Sequence, residues 1–243
     1  DFAGEAATRL ITVTERPPAQ GKLLWKFRTD GSAIRHRGSV APDGTVYVSD
    51  SAGFLYSVSR DGALNWIYCA DCVLSTGAEG PVSRAPDGTV FVGGNPLGPI
   101  SNIHAVNPDG TAKWVYSDFN TDCVAGPSVG PDGNVYFVME TGGRGLTSLD
   151  AETGAIRWRF HPADQRFVER GQTGADIAFG RSTPGGPIDR LYTAMDMRPQ
   201  QVPIPTTFVS SIFSFDLEGN LKWNAGTGGQ EVAGGQTQGE VAT

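Results

Sequence analysis

The chain has 243 residues, with 26 Asp and Glu against 19 Lys and Arg, a formal net charge of −7 and an isoelectric point near 4.9. That balance excludes a binder that tracks nucleic-acid phosphates, which needs a basic stripe, and no apolar run approaches the ~18 residues of a transmembrane helix. Gly is abundant at 33 and Pro at 16, the composition of an all-β chain that turns often and is long enough to bury one sizeable core.

Residues 1–25 look irregular until they are aligned with the units downstream of them. Arg9-Leu10-Ile11-Thr12-Val13-Thr14 alternates as a strand does, and the Pro17 to Gly21 stretch stands where a turn is needed before Trp25. The clearest unit is Ser39 to Trp66. Thr45 to Ser49 sets Val46 and Val48 against polar neighbours, Phe54 to Ser59 alternates in the same way, and Asp43-Gly44 and Asp61-Gly62 supply the positive-φ residues that tight hairpin turns require. The expected element is an antiparallel meander closed by a Trp.

That unit recurs. Trp25, Trp66, Trp114, Trp158 and Trp223 are all the Trp in the chain, and each is reached through a similar approach: SVSRDGALNW, AVNPDGTAKW, SLDAETGAIRW and SFDLEGNLKW for the last four. A Pro-Asp-Gly turn recurs at Pro42, Pro86 and Pro131, followed by Thr-Val-Tyr, Thr-Val-Phe and Asn-Val-Tyr. A four-stranded unit repeating at roughly 40 to 50 residues is the mark of a β-propeller blade. The predicted fold is therefore all-β, a propeller of four-stranded antiparallel blades forming a single domain over residues 1–243.

SLDAETGAIRW, from Ser148 to Trp158, resembles the tryptophan-docking motif of pyrroloquinoline-quinone (PQQ) type propellers, and PDGTVYV followed by GFLYSVS resembles their central strand pair. The resemblance covers nearly the whole chain. It implies that Trp25, Trp66, Trp114, Trp158 and Trp223 are structural, each indole wedged between neighbouring blades with its N–H accepted by the backbone around the following Gly-containing turn. It says little about function, because the same repeat serves quinoprotein dehydrogenases, the lipoprotein of the outer-membrane barrel-assembly machinery and proteins without known ligands. The chain opens at the third strand of a blade, and Val232 to Thr243 reads as a first strand and the start of a second. The termini then either complete one blade of a closed five-bladed ring, with one blade per Trp, or belong to a larger ring of about seven or eight blades.

Asp-Gly hairpins crowd one face of such a ring, so variation falls on the other. The long stretches there are Cys69 to Gly80, Gly93 to Asn102, Ser117 to Gly126, His161 to Gly174 and Asp196 to Phe208. Pro199, Pro203 and Pro205 should stiffen the last of these into an arm that carries Met197, Val202, Ile204 and Phe208 as a candidate partner contact.

Cys69-Ala70-Asp71-Cys72 is a C-x-x-C with Val73 where haem attachment would need His. The expectation is a disulfide, either Cys69–Cys72 or Cys72–Cys123, which suits the periplasm or the cell exterior. Asp71, Asp118, Asp122, Asp164 and Asp176 could meet at the mouth of the channel as a metal site, although acidic loop residues are usually a solvated rim. No nucleophile–base set has a sequence signature. A quinoprotein dehydrogenase would add a general base, a calcium site, an adjacent cysteine pair and a Trp stacked over the quinone, and none of these can be matched residue by residue. The functional expectation is thus a non-enzymatic scaffold for other protein chains within a larger assembly, without a cofactor. The alternatives are a fragment or relative of a PQQ- and calcium-dependent dehydrogenase, and a glycan-binding propeller.

Overall fold

The computed structural model describes residues 23–29, 33–34, 36–70, 72, 75–96, 100–119, 126–138, 145–161, 167–169, 177–199, 209–226 and 236–238. These residues form antiparallel β-sheets joined in sequence as the blades of a β-propeller. The first sheet is β1 (Ser39–Val40), β2 (Val46–Ser49), β3 (Phe54–Val58) and β4 (Leu64–Cys69), and the second is β5 (Ser75–Arg84), β6 (Val90–Pro96), β7 (Ile100–Val106) and β8 (Ala112–Phe119). The third is β9 (Ser128–Val129), β10 (Val135–Val138), β11 (Leu146–Leu149) and β12 (Ile156–His161). In the fourth, β13 (Phe167–Glu169) and β14 (Ala178–Gly180) share the edge of β15 (Arg190–Pro199), followed by β16 (Val209–Phe215) and β17 (Leu221–Gly226). β5 lies beside both β1 and β9, so the first strands of successive blades line the axis and the Trp-bearing strands β4, β8, β12 and β17 lie on the outer side, β4, β8 and β17 as the edge strands.

Local chemistry explains the meander. The turns between first and second strands close on Gly44, Gly88 and Gly133, and those between third and fourth strands on Gly62, Gly110, Gly154 and Gly219, all at positive φ. In the first kind, the Asp side chain caps the turn by accepting the backbone N–H two residues on, as Asp43 does from Thr45 at 2.9 Å and Asp87 from Thr89 at 2.9 Å. In the second kind, Asp150 accepts both the N–H and the hydroxyl of Thr153 at 2.8 Å. The Thr153 hydroxyl hydrogen bond is the largest influence holding the Asp150 carboxyl below its ordinary range.

The core is laid between sheets. One cluster joins Leu55 and Tyr47 of the first sheet to Val82, Val90, Val92 and Val106 of the second. The next joins Phe91, Ile103 and Ala105 to Val135, Phe137 and Leu149. The last joins Tyr136, Leu146, Trp158 and Phe160 to Ile177, Leu191, Phe213 and Phe215. The Trp-bearing face of each of the first three sheets packs on the opposite face of its successor.

Several segments differ from expectation. Parts of the expected loops Gly93 to Asn102, Ser117 to Gly126 and His161 to Gly174 are strand: Gly93 to Pro96 extends β6, Ile100 to Asn102 opens β7, Ser117 to Phe119 ends β8, with Asn102 between Gly94 and Ser117, and Phe167–Glu169 is β13. Ser75 to Gly80, expected in a loop, extends β5, with Ser75 opposite Pro96 and Ala78 opposite Gly94. Asp196 to Pro199 belongs to β15 and not to a free arm, because Met197 pairs with Val209 on one side and Glu169 on the other. Pairing these backbones satisfies N–H and C=O groups that an extended loop would leave to water. Within the C-terminal stretch, Gln236–Gln238 forms β18 along the outer edge of β12, with Arg159 opposite Gln238 and His161 opposite Gln236.

Candidate functional site

Gly stands four residues before each Trp: Gly21, Gly62, Gly110, Gly154 and Gly219. In space Gly62, Gly110, Gly154 and Gly219 each serve the Trp of the preceding repeat. The Trp25 indole N–H donates to the Arg60 carbonyl at 2.8 Å, Trp66 to Pro108 at 2.9 Å, Trp114 to Ala151 at 3.0 Å and Trp158 to Leu217 at 3.0 Å. Each ring lies so close over the turn that a Cβ on the glycine would meet it, 2.9 Å from Trp25 at Gly62, 2.7 Å from Trp66 at Gly110, 2.8 Å from Trp114 at Gly154 and 2.5 Å from Trp158 at Gly219. These glycines have two reasons to lack a side chain: the positive φ and the indole above them. Trp223 is 48% exposed, with Tyr192 of its own sheet 6.0 Å away.

A second layer between sheets was not read from the sequence. The residue two after each Trp reaches an aromatic ring of the next blade: Phe27 meets Tyr56, Tyr68 meets His104, Tyr116 meets Phe137 and Phe160 meets Phe213, with centroids 5.7 to 5.9 Å apart. The pattern Trp-x-Phe/Tyr was visible in four of the five repeats, whereas position 225 carries Ala.

Polar groups are drawn into the same seams. Asp118, buried at 3% exposure, accepts the Tyr116 hydroxyl at 2.7 Å and the Arg159 guanidinium from the next sheet at 2.8 Å. Arg159 also donates to the Tyr116 oxygen and sits 5.9 Å above its ring. Burial, followed by the hydrogen bond to Asp118, pushes the Tyr116 phenol far up, so it stays protonated. Lys113 reaches Asp87 of its own sheet at 3.4 Å and Glu152 of the next at 2.6 Å. The Tyr68 hydroxyl meets Nδ1 of His104 across the first seam at 3.1 Å.

The expected acidic mouth is corrected at its one described member. Asp118 is an inter-sheet anchor for Arg159 and not a free ligand, while Asp71, Asp122, Asp164 and Asp176 lie outside the described residues. Among the described residues, no group of three His, Cys, Asp or Glu is placed to hold a metal ion.

Cys69 and Cys72 are joined by a disulfide, with Cα atoms 5.2 Å apart. It closes a small loop at the end of β4, where the Ala70 N–H donates to Gly53 at 2.8 Å and Ala70 is fully buried. Cys123 lies outside the described residues. Thiol titration of the unreduced protein is expected to find one reactive cysteine of the three; three would remove the argument for an oxidising compartment. Of the candidate partner contact, Met197 is in β15, and Val202, Ile204 and Phe208 lie outside the described residues.

Among solved structures, the chain is similar to the quinohemoprotein alcohol dehydrogenase ADHIIG from Pseudomonas putida HK5, at 21% identity and a TM-score of 0.57 over 80% of this chain and 34% of that one. It thus spans about a third of the length of that dehydrogenase, and the likeness is one of fold. Also similar are a protein of unknown function from Bacteroides caccae (15% identity, TM-score 0.48, 86% of this chain and 72% of that one) and BamB from Moraxella catarrhalis (13%, 0.42, 85% and 78%). None of the curated proteins matches the chain. Residues 99–242, more than half the sequence, match the family of the outer membrane protein assembly factor BamB, and with its repeated four-stranded sheets the chain belongs to that family.

Proposed function

We propose that this protein is a non-enzymatic scaffold that works outside the cytoplasm, in the periplasm or at the cell exterior, and holds other protein chains within a larger assembly. The match of residues 99–242 to an assembly-factor family carries the reading. The Cys69–Cys72 disulfide supports the compartment, since such bridges persist where thiols are not kept reduced. The proposed contact is the connection between β15 and β16, with Val202, Ile204 and Phe208 around Pro203 and Pro205 and Met197 at its base. Proline there lowers the ordering cost of association.

Replacing Val202 to Pro205 with a Gly-Ser linker is expected to leave the melting temperature unchanged and to remove the protein from its native complexes, read by chemical cross-linking in the source cells. An unchanged cross-linking pattern would place the partner elsewhere. Stoichiometric reduction of added pyrroloquinoline quinone by an alcohol, in the presence of calcium, would overturn the scaffold reading in favour of a dehydrogenase relative.

A further inference from the structure

The Cys69–Cys72 disulfide is held in place by the fold more than the fold is held by it. Its cysteines are three apart in sequence, and a bond that closes so short a loop removes little freedom from the unfolded chain. Other contacts bring the two residues together. Gly53, at a φ of +86°, leaves open the space of a side chain, since a Cβ there would stand 2.7 Å from the Ala70 carbonyl oxygen and 3.2 Å from the Cys72 nitrogen. The Ala70 N–H donates to the Gly53 carbonyl at 2.8 Å, and the Gly53 N–H to the Asp50 carbonyl at 3.1 Å. The Asp50 carboxylate, in a residue 2% exposed, accepts the N–H groups of Ala52 at 3.0 Å and Phe54 at 3.1 Å and the Tyr56 hydroxyl at 2.9 Å. None of these contacts passes through the sulfur atoms, so the pair stays together when the bond is open.

The two cysteines are also unequal. Cys69 is exposed and Cys72 half-buried. Ser117 holds the position of Cys69 in the second sheet, three residues after its Trp, and it too is exposed although the first sheet packs on the second. Exposure at this position therefore belongs to the blade itself and does not depend on a neighbour. The Cys72 N–H donates to the Cys69 Sγ at 3.2 Å, a contact that strengthens when that sulfur becomes a thiolate. We propose that Cys69 and Cys72 form a thiol–disulfide exchange site, with the Cys69 Sγ as the reacting sulfur and a dithiol as the co-reactant. A thiolate of the dithiol attacks the Cys69 Sγ, the Cys69–Cys72 bond breaks as the new S–S bond forms, and Cys72 leaves as a thiolate that takes up a proton. The second thiol of the dithiol loses its proton and attacks the dithiol sulfur of the mixed disulfide, releasing Cys69 as a thiolate that the Cys72 N–H stabilises. The dithiol ends as a disulfide and the pair as two thiols. This site is separate from the β15–β16 connection and stands whether or not the scaffold reading does.

Chemistry on the folded chain tests it. Dithiothreitol at neutral pH is expected to reduce the bond with the circular dichroism spectrum unchanged, and glutathione disulfide to restore it. In the reduced chain, iodoacetamide followed by peptide mapping should find Cys69 modified about tenfold faster than Cys72. Both measurements use the unmutated chain, so they hold even if a variant fails to fold. With Cys72→Ser, glutathione disulfide should leave a stable mixed disulfide on Cys69, and Cys69→Ser should give about tenfold less on Cys72. Comparing dithiothreitol with a reduced peptide that carries two cysteines distinguishes a small dithiol from a protein one by which reacts faster at equal concentration. A bond that resists dithiothreitol until urea unfolds the chain would overturn the proposal, as would loss of the folded spectrum on reduction. Modification of Cys72 ahead of Cys69 would overturn it as well.

Discussion

Trp158→Ala is expected to destabilise the protein by about 3 to 5 kcal/mol, the range for truncating a packed aromatic to Ala. The indole is 4% exposed and sits in the cluster with Tyr136, Phe160, Leu191, Phe213 and Phe215. Its loss opens a cavity between sheets and leaves the Leu217 carbonyl, which accepts the indole N–H at 3.0 Å, with only the longer hydrogen bond from the Tyr136 hydroxyl at 3.3 Å. Trp66→Ala and Trp114→Ala should act in the same direction by somewhat less, since both rings are only partly buried. Val115→Ala, on the exposed side of β8 at 47%, is the control and should stay within about 0.5 kcal/mol. Urea denaturation reads the difference as a shift in midpoint at unchanged slope. A loss at Trp158 no larger than at Val115 would show that the indoles do not hold the sheets together.

The second large effect concerns charge. Arg159→Met removes the guanidinium that Asp118 accepts at 2.8 Å and leaves a carboxylate at 3% exposure beside the Tyr116 hydroxyl. Breaking one side of a buried pair costs about 3 to 5 kcal/mol, because the remaining charge keeps its desolvation penalty without its partner. Asp118→Leu combined with Arg159→Met should recover most of that loss, since an apolar pair at a buried seam is near neutral. The double-mutant cycle therefore separates this account from simple packing: coupling of about 2 kcal/mol or more is expected, and additive losses would contradict it. Tyr116→Phe should cost about 1 kcal/mol for the lost hydrogen bond.

These two experiments probe features that the sequence announced to very different degrees. The five Trp, their matching approaches and the Asp-Gly turns identified the repeat and the antiparallel meander, because period-2 strands and positive-φ turns are properties of a few adjacent residues. The extent of the strands in the clearest unit followed in outline for the same reason. It failed where pairing runs on past the apolar core. Ser75 to Gly80 and Asp196 to Pro199 carry glycine, charge and proline that read as loop, and only a partner strand at Gly93–Pro96 or Val209 makes them sheet. Tertiary pairing overrides weak local preference at such places.

The seams were legible only in part. A Trp in every repeat can be seen in one dimension, and so can the Trp-x-aromatic step once it is looked for. The docking-motif resemblance implied that the following Gly-containing turn accepts each indole N–H, but that the glycine itself lies under the ring is a contact between residues about 40 to 60 positions apart, made through the offset between neighbouring blades. Asp118 shows the limit most clearly. By type and position it was one more acidic residue of a variable loop. Its burial, its partner Arg159 on the next sheet and the protonated Tyr116 between them exist only once two outer strands stand side by side. The same holds for the fourth sheet: Trp223 has the same approach and the same spacing to its glycine as the others. Sequence therefore determined that it is a Trp of the repeat. The tertiary structure alone decided that it is the one left half exposed, because burial depends on what stands opposite a side chain and not on the residues beside it in the chain.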